Sequence, residues 1–342
     1  MFLKPIFTMK SIYFLFLSAL LTLSSFAHNE PWTASRPDGH APISVMGDHM
    51  HAMGEWMVSY RYMTMDMKGL LDGSNETTKS AATAKHSFSM MGNMLPKEMN
   101  MDMHMFGAMH AISDQWTLMC MINYLDNEMT MQNGDKMETS GLGDLKIGGL
   151  YDLARWEDGR RAHLSLGLSA PTGSIDEKSG GNFVGYGMQL GSGTWDFQPA
   201  ITYLGQTENY SYGAQLGGIL RIGDNDQGYT LGNRVEATLW GARRLTDSLS
   251  ASIKLDHTCE EEVDGAHKGI SNMQKMMTPA KNPDHQGRDL TSLGLGLNYY
   301  FQSGALQGHR IAAEWETPLD QKVNGVQLEL DSTWTVGWQY AW

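Results

Sequence analysis

Residues Asp331 to Trp342 read DSTWTVGWQYAW. Trp334, Val336, Trp338, Tyr340 and Trp342 occupy every second position, and Thr333, Thr335, Gly337, Gln339 and Ala341 fall between them. Successive side chains of a strand point to opposite faces, so the stretch is a ribbon with one aromatic face and one small, polar face. A soluble sheet would have to bury three Trp from one face of one strand. In a membrane β-barrel the same face meets lipid and the other lines the lumen. The remaining strands should then repeat the alternation.

They do. Alternating segments occur at 55–67, 99–112, 115–126, 141–153, 161–171, 194–204, 209–222, 232–245, 248–258, 289–300, 308–317 and 332–342. In the ninth, Leu249, Ala251, Ile253 and Leu255 oppose Ser250, Ser252, Lys254 and Asp256. Lengths suit tilted crossings of about 9–11 residues. Short connections join strands 2–3, 4–5, 6–7, 8–9 and 10–11. Longer polar ones join 1–2, 3–4, 5–6, 7–8, 9–10 and 11–12. The expected fold is therefore all-β: a transmembrane antiparallel up-and-down barrel of about 12 strands, with short periplasmic turns and longer external loops. Both termini are expected in the periplasm and the barrel in a bacterial outer membrane, in contact with its lipid.

Ahead of the barrel, residues 1–27 read as a secretory signal peptide. Lys4 and Lys10 precede the apolar run SIYFLFLSALL, and Ser25-Phe26-Ala27 is a small-x-small cleavage site. No later stretch approaches the apolar length of a membrane helix. Residues 28–54 show no strand-length alternation; they are either a loose periplasmic lead or a plug folded up into the bore. Residues 55–342 make up the barrel. Net charge is −13, so no nucleic-acid partner is expected. Cys120 falls in mid-strand and Cys259 in a loop, and neither belongs to a redox or zinc motif.

By alternation Arg61, Lys146, Asp152, Arg221, Glu236, Lys254, Asp256, Glu314 and Glu316 all point into the lumen. Facing lipid, such groups would cost about 2–4 kcal/mol each near the midplane. Inside, they either pair across a small bore and hold the wall in register, or select a small-molecule solute as charged rings do in pores.

Methionine is the odd feature. Of 26 Met, 22 lie in the first 140 residues, recurring with a step of two in MTMDM (63–67), MNMDMHM (99–105), MCM (119–121) and MTM (129–131). Thioethers suit Cu(I) and imidazole suits copper in either state, so copper is the one cofactor or cargo the residues suggest. His49, Met50, His51 and Met53 form the best metal cluster. The alternative is that methionine is adaptable apolar filler. If Ser113-Asp114 is a two-residue turn, Met99, Met101, Met103, Met105 and Met109 face lipid, and Asp102, His104 and His110 face the lumen. An odd-length turn would flip this. Met57, Met63, Met65, Met119 and Met121 come out lumenal, beside Arg61.

Three stretches carry a family resemblance. GLGDLKIGGLYDL (141–153), LSLGLSAPTGS (164–174) and LGSGTWDFQPAITYLG (190–205) resemble the outer-membrane transporter family named for a MetA pathway of phenol degradation. Its pattern is a strand opening G-x-G-D, a strand ending P-T-G, and a following G-S-G-T, here in that order. The resemblance implies a barrel that passes small hydrophobic or aromatic compounds, and transfers no binding residue. The C-terminal strand also resembles the signal strand of outer-membrane barrels, which implies recognition by the assembly machinery through the end at Trp342. His163 and Ser165 have the His-x-Ser spacing of outer-membrane phospholipase, a lipid hydrolase. Their strand neighbours do not match it and no Asn is placed to orient the imidazole, so no enzyme is expected.

Overall fold

The computed structural model describes residues 32–86 and 94–342; the signal peptide expected at 1–27 lies outside them. Twelve long antiparallel strands follow one another round a closed barrel: β1 (Trp56–Asp72), β2 (Pro96–Ser113), β3 (Trp116–Met131), β4 in two segments (Lys136–Leu142 and Leu145–Arg155), β5 (Arg161–Ala170), β6 (Trp195–Gln206), β7 (Tyr210–Ile222), β8 (Arg234–Arg244), β9 (Leu249–Glu260), β10 (Arg288–Tyr300), β11 (His309–Val323) and β12 (Val326–Ala341). Each pairs with the next, and β12 closes on β1 from Met57↔Ala341 to Asp72↔Val326. Closure leaves no edge strand, which is the condition for strands to cross a bilayer.

The faces sort as alternation requires. On β12, Trp334 is 48% exposed and Trp338 37%, whereas Thr335 and Gln339 are 2% each. On β5 Leu166 and Leu168 point outward while His163 and Ser169 are buried inside. The exposed surface is the apolar one and the enclosed surface the polar one, the inverse of a soluble sheet. Around the end that carries the short turns runs a girdle of rings: Trp56 stacked on His110 at 4.1 Å, Trp116 by Tyr151, Trp156 by Tyr203, and Tyr340 by Trp342. Both chain ends of the barrel meet there, as Trp56 and Trp342 exchange backbone hydrogen bonds of 2.9 and 3.0 Å.

Two connections expected as long loops are tight hairpins. β3 runs on to Met131 and returns at Lys136; β11 and β12 run on to meet across Asn324-Gly325. Beyond the bilayer the polarity of the alternation reverses. Asp126, Glu128, Lys136 and Glu138 face solvent, and Leu125, Met129, Met131 and Met137 face inward. A ribbon that is charged outside reads as loop to an eye set for lipid, yet its ladder of hydrogen bonds continues unbroken. On β12 the reversal is built by a register shift opposite Asp66 and Met67, which turns Val326, Leu328 and Leu330 inward.

Candidate functional site

The bore is occupied. Residues 32–54 run through it without regular strand or helix, so their backbone groups need partners from the wall. Side chains from six strands supply them. Ser250 (β9) donates to the Pro37 carbonyl at 2.8 Å and Arg310 (β11) to Ala41 at 2.8 Å. Gln215 (β7) donates to Met46 at 3.0 Å, and His163 (β5) places Nε2 2.8 Å from the Gly47 carbonyl. Gln206 (β6) holds Thr33, and Thr117 (β3) accepts from the His51 amide. Trp32 lies under the Arg161 guanidinium at 4.4 Å and packs with Ala41, Val45, Leu204 and Trp240. Gly337 makes room for the strap: a Cβ there would sit 2.8 Å from Ile43 Cγ1.

Most sequence-predicted lumen residues line this interior. Lys254 pairs with Glu314 at 2.9 Å and Glu316 at 2.8 Å, and Glu314 also accepts from the Ser44 amide. Asp256 accepts from Thr238, which reaches toward Glu236. Arg221 forms an ion pair with Asp196, Asp152 with Arg155 at 2.6 Å, and Lys146 stands in register with Met121. Arg61 is buried against the strap. Arg310 and Asp196, equally central, were readable from the same alternation but not singled out.

Asp102, His104 and His110 do not line the bore. β2 and β3 meet through Ala111↔Thr117 and Ser113↔Trp116, leaving Ile112 as an extra residue. This bulge is the odd step that reverses the parity of β2. Directly paired residues share a face, so Met105 goes inside with Arg61, and His104 goes outside with Tyr62. Outside, Tyr62 donates to Asp102 at 2.9 Å and Tyr60 Oη lies 2.8 Å from His104 Nδ1, so both polar groups are partnered where they meet lipid.

The same bulge turns every methionine of β2 inward, correcting the expectation that they face lipid. Across β1, β2 and β3 the interior rows read Met57–Met109–Met119, Ser59–Gly107–Met121, Arg61–Met105–Asn123, Met63–Met103–Leu125, Met65–Met101–Asn127 and Met67–Met99–Met129. Rows lie about 7 Å apart, two residue rises. At the far mouth the ladder merges with an apolar cluster that includes Met131, Met188 and Leu328. At the other end Met57 and Met109 pack against Met50 of the strap.

Within the strap, His40, Asp48, His49 and His51 cluster. His49 Nδ1 lies 2.9 Å from Asp48 Oδ1, and Asp48 Oδ2 accepts from the Ala41 amide. Burial, with Arg310 and His49 adding to it, pushes the His40 imidazole well below its ordinary value; burial and His49 bring His51 to about 3. Burial opposes ionisation of Asp48, but His49, His40 and Arg310 together hold its carboxyl well below the usual range. His40 was not foreseen, because a turn of the strap, not sequence spacing, returns it to His49. Met53 leaves the cluster: it is 69% exposed at the rim.

The three glycine-rich motifs converge on Asp144. Its carboxylate accepts from the Gly173 amide at 2.8 Å and from the Ser192 amide and hydroxyl at 2.8 and 3.1 Å. Thr172 accepts from Leu145 N and donates to Gly143 O. The aspartate of G-x-G-D thus pins P-T-G to G-S-G-T and draws the 171–194 connection over the bore, placing Met188 and Val184 in the apolar mouth.

A closed barrel with a lipid-facing apolar wall, a polar bore and its own N-terminal strap inside defines the class: a transmembrane β-barrel. The chain belongs to the family described as "Putative MetA-pathway of phenol degradation", which matches residues 116–323. Its fold is similar to that of the COG4313 outer membrane channel from Pseudomonas putida F1, with a TM-score of 0.63 at 15% identity over 87% of this chain and 99% of that one. More distant are the KdgM porin in complex with disordered oligogalacturonate (TM-score 0.39, 10% identity, 83% of this chain, 98% of that one) and a Pseudomonas aeruginosa FadL homologue (0.38, 9%, 84%, 89%). No curated protein matches the chain.

Proposed function

We propose that this chain is an outer-membrane channel for passive passage of small apolar or aromatic solutes, with its termini in the periplasm and residues 32–54 as a removable plug. One observation carries the reading. The polar wall is engaged in holding the strap through side-chain hydrogen bonds, while the β1 to β3 sector carries a thioether in every row from far mouth to strap, with Arg61 and Ser59 among them. Thioether sulfur packs favourably against aromatic rings, so that sector offers such solutes a path. The family description names phenol degradation, and the Pseudomonas putida protein is named as a channel. Catalysis has no part in this reading, since His163 is engaged with the Gly47 carbonyl rather than with Ser165.

Planar-bilayer recordings test it. The mature chain should be nearly silent, and the chain lacking 28–54 should show steady conductance and admit phenol to liposomes. Silence of both forms would sink the reading. For orientation, an epitope inserted in 266–270 should be reached by antibody on intact cells, and one at Asp247 should not.

A further inference from the structure

The strap carries side chains that passage of an apolar solute does not use. His40 Nδ1, His49 Nε2 and His51 Nε2 are buried nitrogens with no hydrogen-bond partner. Ring centroids of His40 and His49 lie 4.3 Å apart, and those of His49 and His51 4.8 Å. One ligand atom each from His40, Asp48 and His49 falls within 4.8 Å of the others. Buried polar atoms are ordinarily paired, so orphaned imidazole nitrogens in and beside the His40, Asp48 and His49 group mark a place suited to an electron-pair acceptor.

We propose that His40, Asp48 and His49, with the His51 ring against His49, bind one soft monovalent metal ion, Cu(I) or Ag(I), inside the barrel. Imidazole is a good ligand for copper. Charge selects the monovalent state. Arg61 and Arg310 already stand against Asp48 and Glu314, so a single positive charge meets a balanced surround, whereas a divalent ion would add a second charge beside two guanidiniums. The neighbourhood selects softness: Met50, between His49 and His51 in the chain, packs on Met57 and Met109 at the foot of the thioether ladder. The site stands on its own geometry and needs no passage of solute.

The test uses the refolded mature chain in a Cys120→Ser/Cys259→Ser background, because thiolates would bind the probe themselves. Ag(I) is titrated calorimetrically, and Cu(I) is titrated against a chromophoric Cu(I) chelator. One ion per chain is expected, with affinity at least 100-fold weaker in His40→Gln/His49→Gln and unchanged in Met53→Leu, which lies outside the cluster. The heat-shifted gel mobility of each variant establishes that its barrel has formed. Three results overturn the proposal: no saturable binding, tighter binding of Zn(II) than of Ag(I), or binding that survives the histidine changes and is lost in Met101→Leu/Met103→Leu. Conductance of the chain lacking 28–54 is read separately, so failure of the metal site and failure of the channel are distinguishable.

Discussion

Asp144 shows how much one side chain can organise. It accepts three hydrogen bonds from two separate motifs and is 9% exposed. Bonds to a charged acceptor contribute about 1.5–3 kcal/mol each and add incompletely when they share one carboxylate, so Asp144→Ala should lower unfolding free energy by roughly 3–5 kcal/mol, measured by urea unfolding in micelles. It should also open 171–194 to protease. Gly337 acts by absence. Its missing Cβ is the seat of Ile43, so Gly337→Val should expel the strap, raising conductance and exposing Arg36 to trypsin without unfolding the barrel. An unchanged, silent channel would mean that Ile43 does not seat the strap. The glycine was legible as a small position on an inward face; what it made room for was not, since a contact over nearly 300 residues leaves no local pattern.

At the scale of elements, β2 turns on one residue. Ile112 is extra in the β2–β3 pairing, and it moves Met103 to the bore and His104 to the lipid. In a Cys120→Ser/Cys259→Ser background, Met103→Cys should react with a water-soluble maleimide once 28–54 is deleted. His104→Cys should react with a lipid-partitioning one; the reverse pattern would remove the bulge. The long connection between β9 and β10 has a pH sense of its own. His285 Nδ1 accepts from the Val326 amide at 2.8 Å, and burial first, then His86, lowers its pKa, with Asp284 and Asp72 opposing. A lowered folded-state value means the folded state binds fewer protons. The contribution is therefore whole above the ordinary histidine value and is lost as pH falls below it. The protection factor of the Val326 amide, its exchange rate relative to the intrinsic rate at the same pH, should fall between pH 7.5 and pH 5, and His285→Asn should flatten that response. Equal protection factors at both pH values would show that His285 does not hold the hairpin.

Over the whole molecule, the twelve strands, their order and the inside-out sorting were legible, because a barrel in lipid imposes one rule on every strand and repeats it. The alternations of β9 and of β12 from Ser332 onward transmit that rule without interruption, and Glu314, Glu316, Lys254 and Arg221 fall where it puts them. The rule stops where the bilayer does. Past it the outward residues become Glu128 and Lys136 and the inward ones Met129 and Met137, so the strand ends and the β11–β12 hairpin were misjudged. Periodicity thus determined the cylinder and which side of most strands is wet. Tertiary structure alone decided the parity of β2, because a single unpaired residue resets it, and the course of residues 32–54, whose irregular backbone takes its path from wall side chains distant in sequence. The joining of His40 to His49 and His51 belongs to that second kind: a chain without a repeat carries no local record of what its turns will bring together.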